Sequence, residues 1–428
     1  MERLWNRNYC KVMLANFTLF FAFYVLTPLL PLYLSEHFGA TKDVIGLVLS
    51  GYTITALLCR PFSGFLVDTF PRKTVLMVCF AGFSIFFAGY LAASTLLMFT
   101  IVRTLHGGPF GSLTVANSTV AIDVLPSSRR TEGIGYYGLS NNLAMAIAPS
   151  IGIAIYQFTQ SFEFLFWLAL VVACAGWAVD STVVIGKKGE KMKEETIIHH
   201  PSSIIHHPSS IIQLDRFFLV AAWLIAVNMV FFGFCFGVLS NYLAIYSKQV
   251  LGITGGTGVY FMLCSIGLII SRLQGGKALR QGRLTFNAGS GMLISLIGYT
   301  LFALPSLFTS SFIHHPSSIT FHSLLTPLCY YSSAILLGLG NGHMWPAFQN
   351  MTICMARNNQ RGTANSTILT AWDAGMGLGI LLGGVISEVF GYTAAFWTVA
   401  FANGAGVALF FLATRAFFLR GNLYPEVH

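Results

Sequence analysis

The sequence predicts an all-α polytopic membrane protein, with twelve transmembrane helices arranged as two six-helix pseudo-repeat bundles. Three observations support this fold class. The first is composition: 55% of the 428 residues are hydrophobic and only 9% are charged, whereas a soluble domain carries about 25% charged residues. The second is a series of twelve long apolar stretches, and the third is a similarity between the two halves of the chain.

Each apolar stretch is long enough to cross a bilayer, which takes roughly 20 residues in a helix. Membrane strands are excluded because these stretches are about twice the length of such a strand and do not alternate in polarity. The predicted spans, numbered 1 to 12 in chain order, lie near residues 13–34, 45–67, 75–93, 97–121, 134–157, 164–185, 217–241, 256–275, 286–305, 327–347, 364–388 and 391–414.

The lysines and arginines orient these spans. If both termini are cytoplasmic, the outside loops carry only Lys42 and Lys248, and only Arg60, Arg103 and Arg272 fall within spans. All the others of the 24 basic residues then lie in the inside segments, as the preference of basic loops for the cytoplasm requires. This distribution also accounts for the net charge of +9 without a nucleic-acid partner.

The two halves of the chain resemble each other. Arg60 with Pro61 closes span 2, and Arg272 with Leu273 closes span 8, half a chain later. We therefore predict an N-terminal bundle at 1–186, a central cytoplasmic loop at 187–215 and a C-terminal bundle at 216–428. Parallel six-helix halves of this kind are typical of one large architecture of secondary transporters.

The loop between spans 2 and 3 reads GFLVDTFPRKTVL, residues 64–76. It resembles the loop signature of the major facilitator superfamily, G-x-L-x-D-R-x-G-R-[RK]-x-x-L, with departures at the sixth and eighth positions. The resemblance implies that Gly64, Asp68, Arg72 and Lys73 form a conformational latch between the halves on the cytoplasmic side. The alternative is that Asp68 only caps a helix in a basic turn. The matching stretch of the second half, GGKALRQGR at 275–283, has no acid, which argues against a symmetric latch.

Further motifs extend the resemblance over the whole chain. Span 4 carries RTLHG at 103–107, similar to the R-x-x-Q-G of the family, and span 11 opens with RGTANST at 361–367. Span 5 carries Ala148, Pro149 and Gly152, similar to the G-P-x-x-G hinge motif of the antiporter branch but with alanine first. Together they resemble the drug or metabolite:proton antiporters, which implies a small-molecule substrate, protons as the coupling ion and no cofactor beyond the proton gradient.

Ionisable side chains within spans are the strongest functional candidates, because a charge in hydrocarbon costs several kcal/mol unless it is paired, hydrated or used. Asp373, near the middle of span 11, is a candidate proton carrier, or else one half of a fixed contact between helices. Arg103 and His106 share one face of span 4. Arg103 suits substrate or carboxylate binding but could only brace the helix, whereas His106 titrates in the range that proton coupling needs.

Other polar groups in the spans have weaker assignments. Arg60 is expected to brace span 2, and Asp180 lies near the inner end of span 6. Uncharged polar groups could line the substrate site or simply join helices. The full set of substrate-binding candidates is Arg103, Asn117, Asn142, Asn228, Asn341, Gln349 and Trp372.

The heptad IHHPSSI raises the possibility of a metal site. It stands twice in tandem at 198–211 and once more at 313–319. The predicted topology puts the tandem copies inside and the third copy outside, so the three cannot form one site. The eight cysteines include no CxxC pair, and no metal cluster is predicted. We interpret the heptads as an insertion, which long surface loops tolerate.

The sequence therefore predicts a transporter and not an enzyme, since it shows no nucleophile–base or nucleotide-binding motif. The expected function is proton-coupled efflux of a small amphipathic compound, such as a drug, sugar or metallophore-like molecule. Span 1 carries no acid between Val12 and Leu34, unlike several drug:proton antiporters, so import of a sugar or organic acid by symport or facilitation stays open. We expect a monomer in the lipid bilayer of a bacterial inner membrane, with both termini cytoplasmic.

Overall fold

A computed structural model describes residues 4–27, 29–40, 42–185, 216–253, 256–309 and 316–421. All regular secondary structure in these ranges is helical. The helices up to residue 181 are α1 (Arg7–Leu26), α2 (Leu30–Phe38), α3 (Lys42–Thr69), α4 (Arg72–Ala92), α5 (Leu96–Asp123), α6 (Arg130–Thr159) and α7 (Phe162–Ser181). Those that follow are α8 (Trp223–Gln249), α9 (Thr257–Arg280), α10 (Leu284–Ala303), α11 (Pro305–Thr309), α12 (Pro316–Cys354), α13 (Arg361–Leu409) and α14 (Arg415–Arg420).

These helices confirm the twelve predicted spans. Span 1 is divided between α1 and α2, and α13 contains spans 11 and 12, separated by a kink at Gly391 with φ 83°. Glycine adopts this left-handed backbone without steric cost. Eight described stretches are long and apolar enough to cross a membrane, and one of them, Arg361–Arg420, holds two spans. The three remaining spans, in α3, α5 and α12, are not among these eight stretches, and α3 and α5 each contain a buried arginine.

The chain folds into two compact units. Of the described residues, the first comprises those up to 221 and those at 353–370, and the second comprises those from 222 to 352 and from 371 to 421. The first unit thus takes in α1 to α7 and also the first part of α13, which belongs to the second half of the sequence. The two units therefore do not correspond simply to the first and second halves of the sequence.

The core of the first unit is built around α5. A run of its residues from Leu113 to Ile122 is buried, and its glycines allow α3 to approach closely. A Cβ at Gly107 would overlap the carbonyl oxygen of Tyr52, and one at Gly111 would lie 2.7 Å from the carbonyl oxygen of Ala56. Small residues let helix backbones pack in this way in membranes.

The second unit repeats this packing between α9 and α12. A Cβ at Gly338 would overlap the carbonyl oxygen of Cys264, and one at Gly342 would lie 2.9 Å from the carbonyl oxygen of Leu268. Both glycines and both carbonyl residues are four apart, as in the first unit. The pseudo-repeat inferred from the sequence thus extends to individual backbone contacts.

The histidine heptads lie largely outside the described residues. This holds for the tandem copies at 198–211 and for the whole predicted central loop at 187–215. The third copy is described only from residue 316, where the backbone already forms the start of α12.

Candidate functional site

Two ionisable side chains lie buried on one face of α5. The helix begins after Thr95, whose hydroxyl oxygen accepts a hydrogen bond from the N–H of Met98 at 3.2 Å. Two turns later, Arg103 is 5% exposed and His106 is 0% exposed. Because they are three residues apart in a helix, both side chains point to the same neighbour, α4.

Tyr90 on α4 connects the two side chains. Its hydroxyl oxygen accepts a hydrogen bond from Nη1 of Arg103 at 3.0 Å and lies 2.7 Å from Nδ1 of His106. Arginine can only donate, so the hydroxyl proton of Tyr90 is available for Nδ1. When Nδ1 accepts this proton, the ring proton of the neutral imidazole is on Nε2.

Aromatic rings surround the pair. The guanidinium carbon of Arg103 lies 4.1 Å from the centre of the Tyr52 ring and 5.9 Å from that of Phe23. The imidazole of His106 stacks on Phe86 with centroids 5.3 Å apart, and its centroid is 4.9 Å from that of Phe87. No carboxylate among the described residues forms an ion pair with Arg103. The cation is therefore held by a phenol and by ring faces.

A second polar cluster joins the end of α3 to the start of α13. The Asp68 carboxylate accepts hydrogen bonds from the backbone N–H groups of Gly362 at 2.9 Å and Thr363 at 2.8 Å, and from the Thr363 hydroxyl at 2.8 Å. The first N–H groups of a helix have no partner within the helix, so Asp68 caps α13 from a residue far away in sequence. Gly64 permits the approach, because a Cβ there would lie 2.9 Å from Cα of Thr363.

Asp123, at the end of α5, holds this cluster together. Its carboxylate accepts a hydrogen bond from Arg72 and forms an ion pair with Arg361 at 3.1 Å. Arg72 also lies 3.6 Å from Asp68. Two carboxylates and two guanidinium groups thus alternate at the start of α13.

Burial shifts the pKa values of Asp68, in this cluster, and of the nearby Arg130. Burial raises the pKa of Asp68, against the opposing effects of Arg72 and of the Thr363 and Gly362 N–H groups. Burial also lowers the pKa of Arg130 to about 10, aided by the nearby Arg361 and partly offset by Asp123. At this pKa, Arg130 still carries its charge at neutral pH and adds a positive charge beside Arg361 and Asp123.

Asp373 and Trp372 lie in the second unit, in α13. Asp373 is 5% exposed, and the Trp372 ring contacts Phe236 and Trp345, with centroids 5.3 and 4.9 Å apart. The flanking Gly375 lies so close to α8 that a Cβ would overlap the carbonyl oxygen of Val230. The predicted proton carrier therefore sits on a helix pair in direct backbone contact.

The remaining motif residues have separate positions. Lys73 donates to the backbone carbonyl oxygens of Asp180 and of Val183, the latter at 2.9 Å, so it caps the end of α7 and does not join the Asp68 cluster. Ala148 is fully buried in α6 beside Pro149. A Cβ at Gly152 would overlap the carbonyl oxygen of Val25, which brings α6 against α1.

The predicted polar candidates are dispersed. Asn117 donates to Asn16 Oδ1 at 3.2 Å, within a network that joins α1, α5 and α6. Asn228 donates to the Thr414 hydroxyl oxygen at 2.5 Å, beside the π-helical turn Phe410–Thr414. Asn142, in α6, and Gln349, in α12, are buried, and Asn341, also in α12, is partly buried.

Sequence reasoning missed four groups that complete these sites: Tyr90 and Tyr52 beside Arg103, and Asp123 and Arg361 beside Asp68. One signal was available for Asp123, since it is an acid directly after a predicted span, as Asp68 is. No sequence signal pointed to Tyr90 or Tyr52, since both are ordinary aromatic residues in apolar stretches. Among the described residues, no group of three or more His, Cys, Asp or Glu side chains could hold a metal ion.

Comparison with known proteins gives consistent matches. A family model described as the Major Facilitator Superfamily matches residues 12–331 and 319–422. The Staphylopine export protein of Staphylococcus aureus (strain Mu50 / ATCC 700699) is 22% identical, over 83% of this chain and 83% of its own length. The Multidrug resistance protein MdtG of Escherichia coli (strain K12 / DH10B) is 24% identical, over 99% of this chain and 97% of its own length.

Two solved structures share the fold. The transporter FucP in its outward conformation matches with a TM-score of 0.72 and 14% identity, covering 96% of this chain and 99% of that chain. The human organic anion transporter MFSD10 (TETRAN) matches with a TM-score of 0.65 and 16% identity, covering 94% of this chain and 99% of that chain. At these low sequence identities, the two structures show only that the fold is shared.

Proposed function

The chain belongs to the major facilitator superfamily, and from this premise we propose that it exports a small amphipathic compound in exchange for protons. It is a membrane transporter and not an enzyme. Export as the direction is supported by two relatives that are named for export and for multidrug resistance. We further propose a bacterial inner membrane as its location, cytoplasmic termini, a monomeric state and no cofactor other than the proton gradient.

One observation carries the coupling to protons: both units bury ionisable groups within predicted membrane spans. The first unit holds Arg103 and His106, and the second holds Asp373. Burial disfavours the charged form of a carboxyl group. A carboxyl group that is alternately exposed to the two sides of a membrane can therefore take up a proton on one side and release it on the other.

The roles follow from the chemistry of each group. Asp373 carries the proton, and Arg103 with His106 contacts the substrate or adjusts the proton affinity of the site. Gly64, Asp68 and Arg72, together with Asp123, hold the start of α13 at the first unit and act as the latch. Each transport cycle must break and remake these charge-assisted hydrogen bonds, which are roughly twice as strong as neutral ones.

The test uses everted vesicles with a respiratory proton gradient, read by quenching of an acridine dye. Lipophilic cations, sugars, organic acids and metallophores are added in turn, and an exported substrate is expected to release the quench. Asp373→Asn should abolish this response while the protein remains folded and inserted. Asp180→Asn, which removes another buried carboxyl from a predicted span, is the matched control and should keep the response.

The outcomes separate the alternatives. If the Asp373→Asn protein still drives uphill export, Asp373 is not the proton carrier. Uptake coupled to inward proton flow in right-side-out vesicles, without export, would establish the symporter that the acid-free span 1 leaves open.

A further inference from the structure

Arg103 differs from Arg72 and Arg361 in what neutralises it. Arg72 pairs with Asp68 and Asp123, and Arg361 pairs with Asp123. Arg103 is as deeply buried, yet its contacts among the described residues are the Tyr90 hydroxyl and the rings of Tyr52 and Phe23. A positive charge is thus enclosed in the protein without a negative partner in the described part of the chain.

Such an arrangement is costly unless an anion completes it. Withdrawing a guanidinium from water carries a large desolvation penalty, and a phenol and two ring faces repay only part of it. The buried Nε of Arg103 also has no hydrogen-bond partner among the described residues. A planar guanidinium matches the two oxygens of a carboxylate.

The second unit shows that packing does not require an arginine at this position. The glycine contacts align Gly107 of α5 with Gly338 of α12. Four residues before Gly107 is Arg103, and four residues before Gly338 is Ala334, which is fully buried. The equivalent contact in the second unit therefore forms without a charged side chain, so bracing of the helix alone does not explain Arg103.

The surroundings of Arg103 suit an apolar molecule. The rings of Tyr52, Phe23 and Phe110 form a continuous stack, with centroids 5.4 Å apart for the first pair and 5.0 Å for the second. Phe20 and Tyr24, on the same side of α1, are partly buried, and their rings stack with centroids 6.0 Å apart. An aromatic wall beside a cation can hold a ligand with an anionic group and an apolar body.

We propose that Arg103 binds the anionic group of the substrate, and that this substrate is an amphipathic organic carboxylate. The carboxylate accepts from the guanidinium, Tyr90 holds the guanidinium in place, and the stack of Tyr52, Phe23 and Phe110 contacts the apolar body. This inference rests on the proposed function, and it adds the substrate class to the site named there.

The test compares three probes with one ring system: 2-naphthoate, its neutral amide 2-naphthamide, and the cation 2-naphthylmethylammonium. Binding to the full-length protein in neutral detergent is measured by isothermal titration, with a micelle-only titration subtracted. Charge-assisted hydrogen bonds predict that naphthoate binds about tenfold or more tightly than the amide. The cation should bind most weakly.

Three variants locate the effect. Arg103→Gln should reduce the naphthoate-to-amide ratio to about one, because the amide gains nothing from the charge. Arg60→Gln, which removes another buried guanidinium from α3, should keep the ratio. If Arg103→Gln does not fold, Arg103→Lys decides, since it should weaken naphthoate binding and leave amide binding unchanged.

The inference is overturned if the wild-type protein binds naphthoate no better than the amide or not at all. It is overturned equally if Arg103→Gln keeps the ratio. The vesicle assay separates this failure from failure of the proposed function. Proton-coupled export of cations or neutral compounds alone would retain the function and reject the carboxylate, whereas tight naphthoate binding without any proton exchange would reject the function and retain the site.

Discussion

At the scale of single residues, the structure distinguishes the buried charges by the groups that contact them. Asp68 accepts three hydrogen bonds at the start of α13, and Asp123 neutralises two arginines. Arg103 instead faces a phenol and aromatic rings. The acids of the Asp68 cluster therefore hold a helix end in place, whereas the described contacts of the Arg103 guanidinium are a phenol and aromatic rings.

The capping role of Asp68 leads to a prediction about local opening. Asp68→Ala leaves the N–H groups of Gly362 and Thr363 without their acceptor, which should destabilise the docked start of α13 by about 1–3 kcal/mol. Hydrogen–deuterium exchange of a peptide covering 361–365 should accelerate accordingly. Asp68→Asn should have a smaller effect, because an amide oxygen can still accept one of these bonds.

Glu388→Ala provides the control for this experiment. Glu388 lies in the same helix but is exposed, so its removal should leave exchange at 361–365 unchanged. Equal protection of this peptide in Asp68→Ala and in the wild-type protein would show that the contact does not hold the helix.

At the scale of helices, glycines determine which pairs of helices touch along their backbones. The α3–α5 and α9–α12 pairs use the same four-residue spacing. The helix pair α8–α13 uses glycines on both sides, since Gly233 lies against Trp372 and Gly375 lies against Val230. The spans that carry Arg103 and Asp373 are therefore among those in direct backbone contact with a neighbouring helix.

Two adjacent glycines in α5 offer a matched test of this packing. Gly107→Ala would place a methyl group against the carbonyl of Tyr52 and should destabilise the protein by about 1–3 kcal/mol. Gly108→Ala meets only Cys59 Sγ at 3.4 Å and Thr55 at 3.7 Å, and it should be neutral or slightly stabilising, since alanine favours helix. Thermal unfolding in detergent measures both; equal melting temperatures would contradict the close α3–α5 contact.

At the scale of the whole molecule, two similar units carry different chemistry. The glycine contacts repeat between the units, but the arginine–histidine pair occurs only in the first, and Ala334 and Leu337 occupy the matching positions in the second. Asp373 belongs to the second unit. Two units with similar helix packing thus carry different ionisable groups. We assign binding of the substrate anion to the first unit and transfer of the proton to the second.

The histidine heptads lead to a prediction about the whole chain. If residues 198–211 are an insertion without function, their deletion should leave insertion into the membrane and the vesicle response unchanged. Added zinc should affect the deletion variant and the wild-type protein alike. A zinc-dependent response that disappears with the deletion would instead establish a metal-binding role.

The sequence by itself determined the number of spans and the family. A bilayer requires long apolar helices whose backbone groups are paired internally, so twelve apolar stretches could be read directly from the composition of the chain. The motifs around Gly64 and Asp68 were recognisable because their residues are adjacent in sequence. Arg103 and Asp373 stood out for the same local reason, as charges in apolar stretches.

Only the tertiary structure decided which of these groups meet. Asp68 and Thr363 are 295 residues apart in the sequence. Tyr90 contacts Arg103 only because α4 and α5 are rotated about their own axes so that these two side chains face each other. Lys73 follows Arg72 directly, yet it caps α7 instead of joining the Asp68 cluster. Hydropathy determines that a helix lies in the membrane, whereas its rotation and its partners depend on close packing between distant segments.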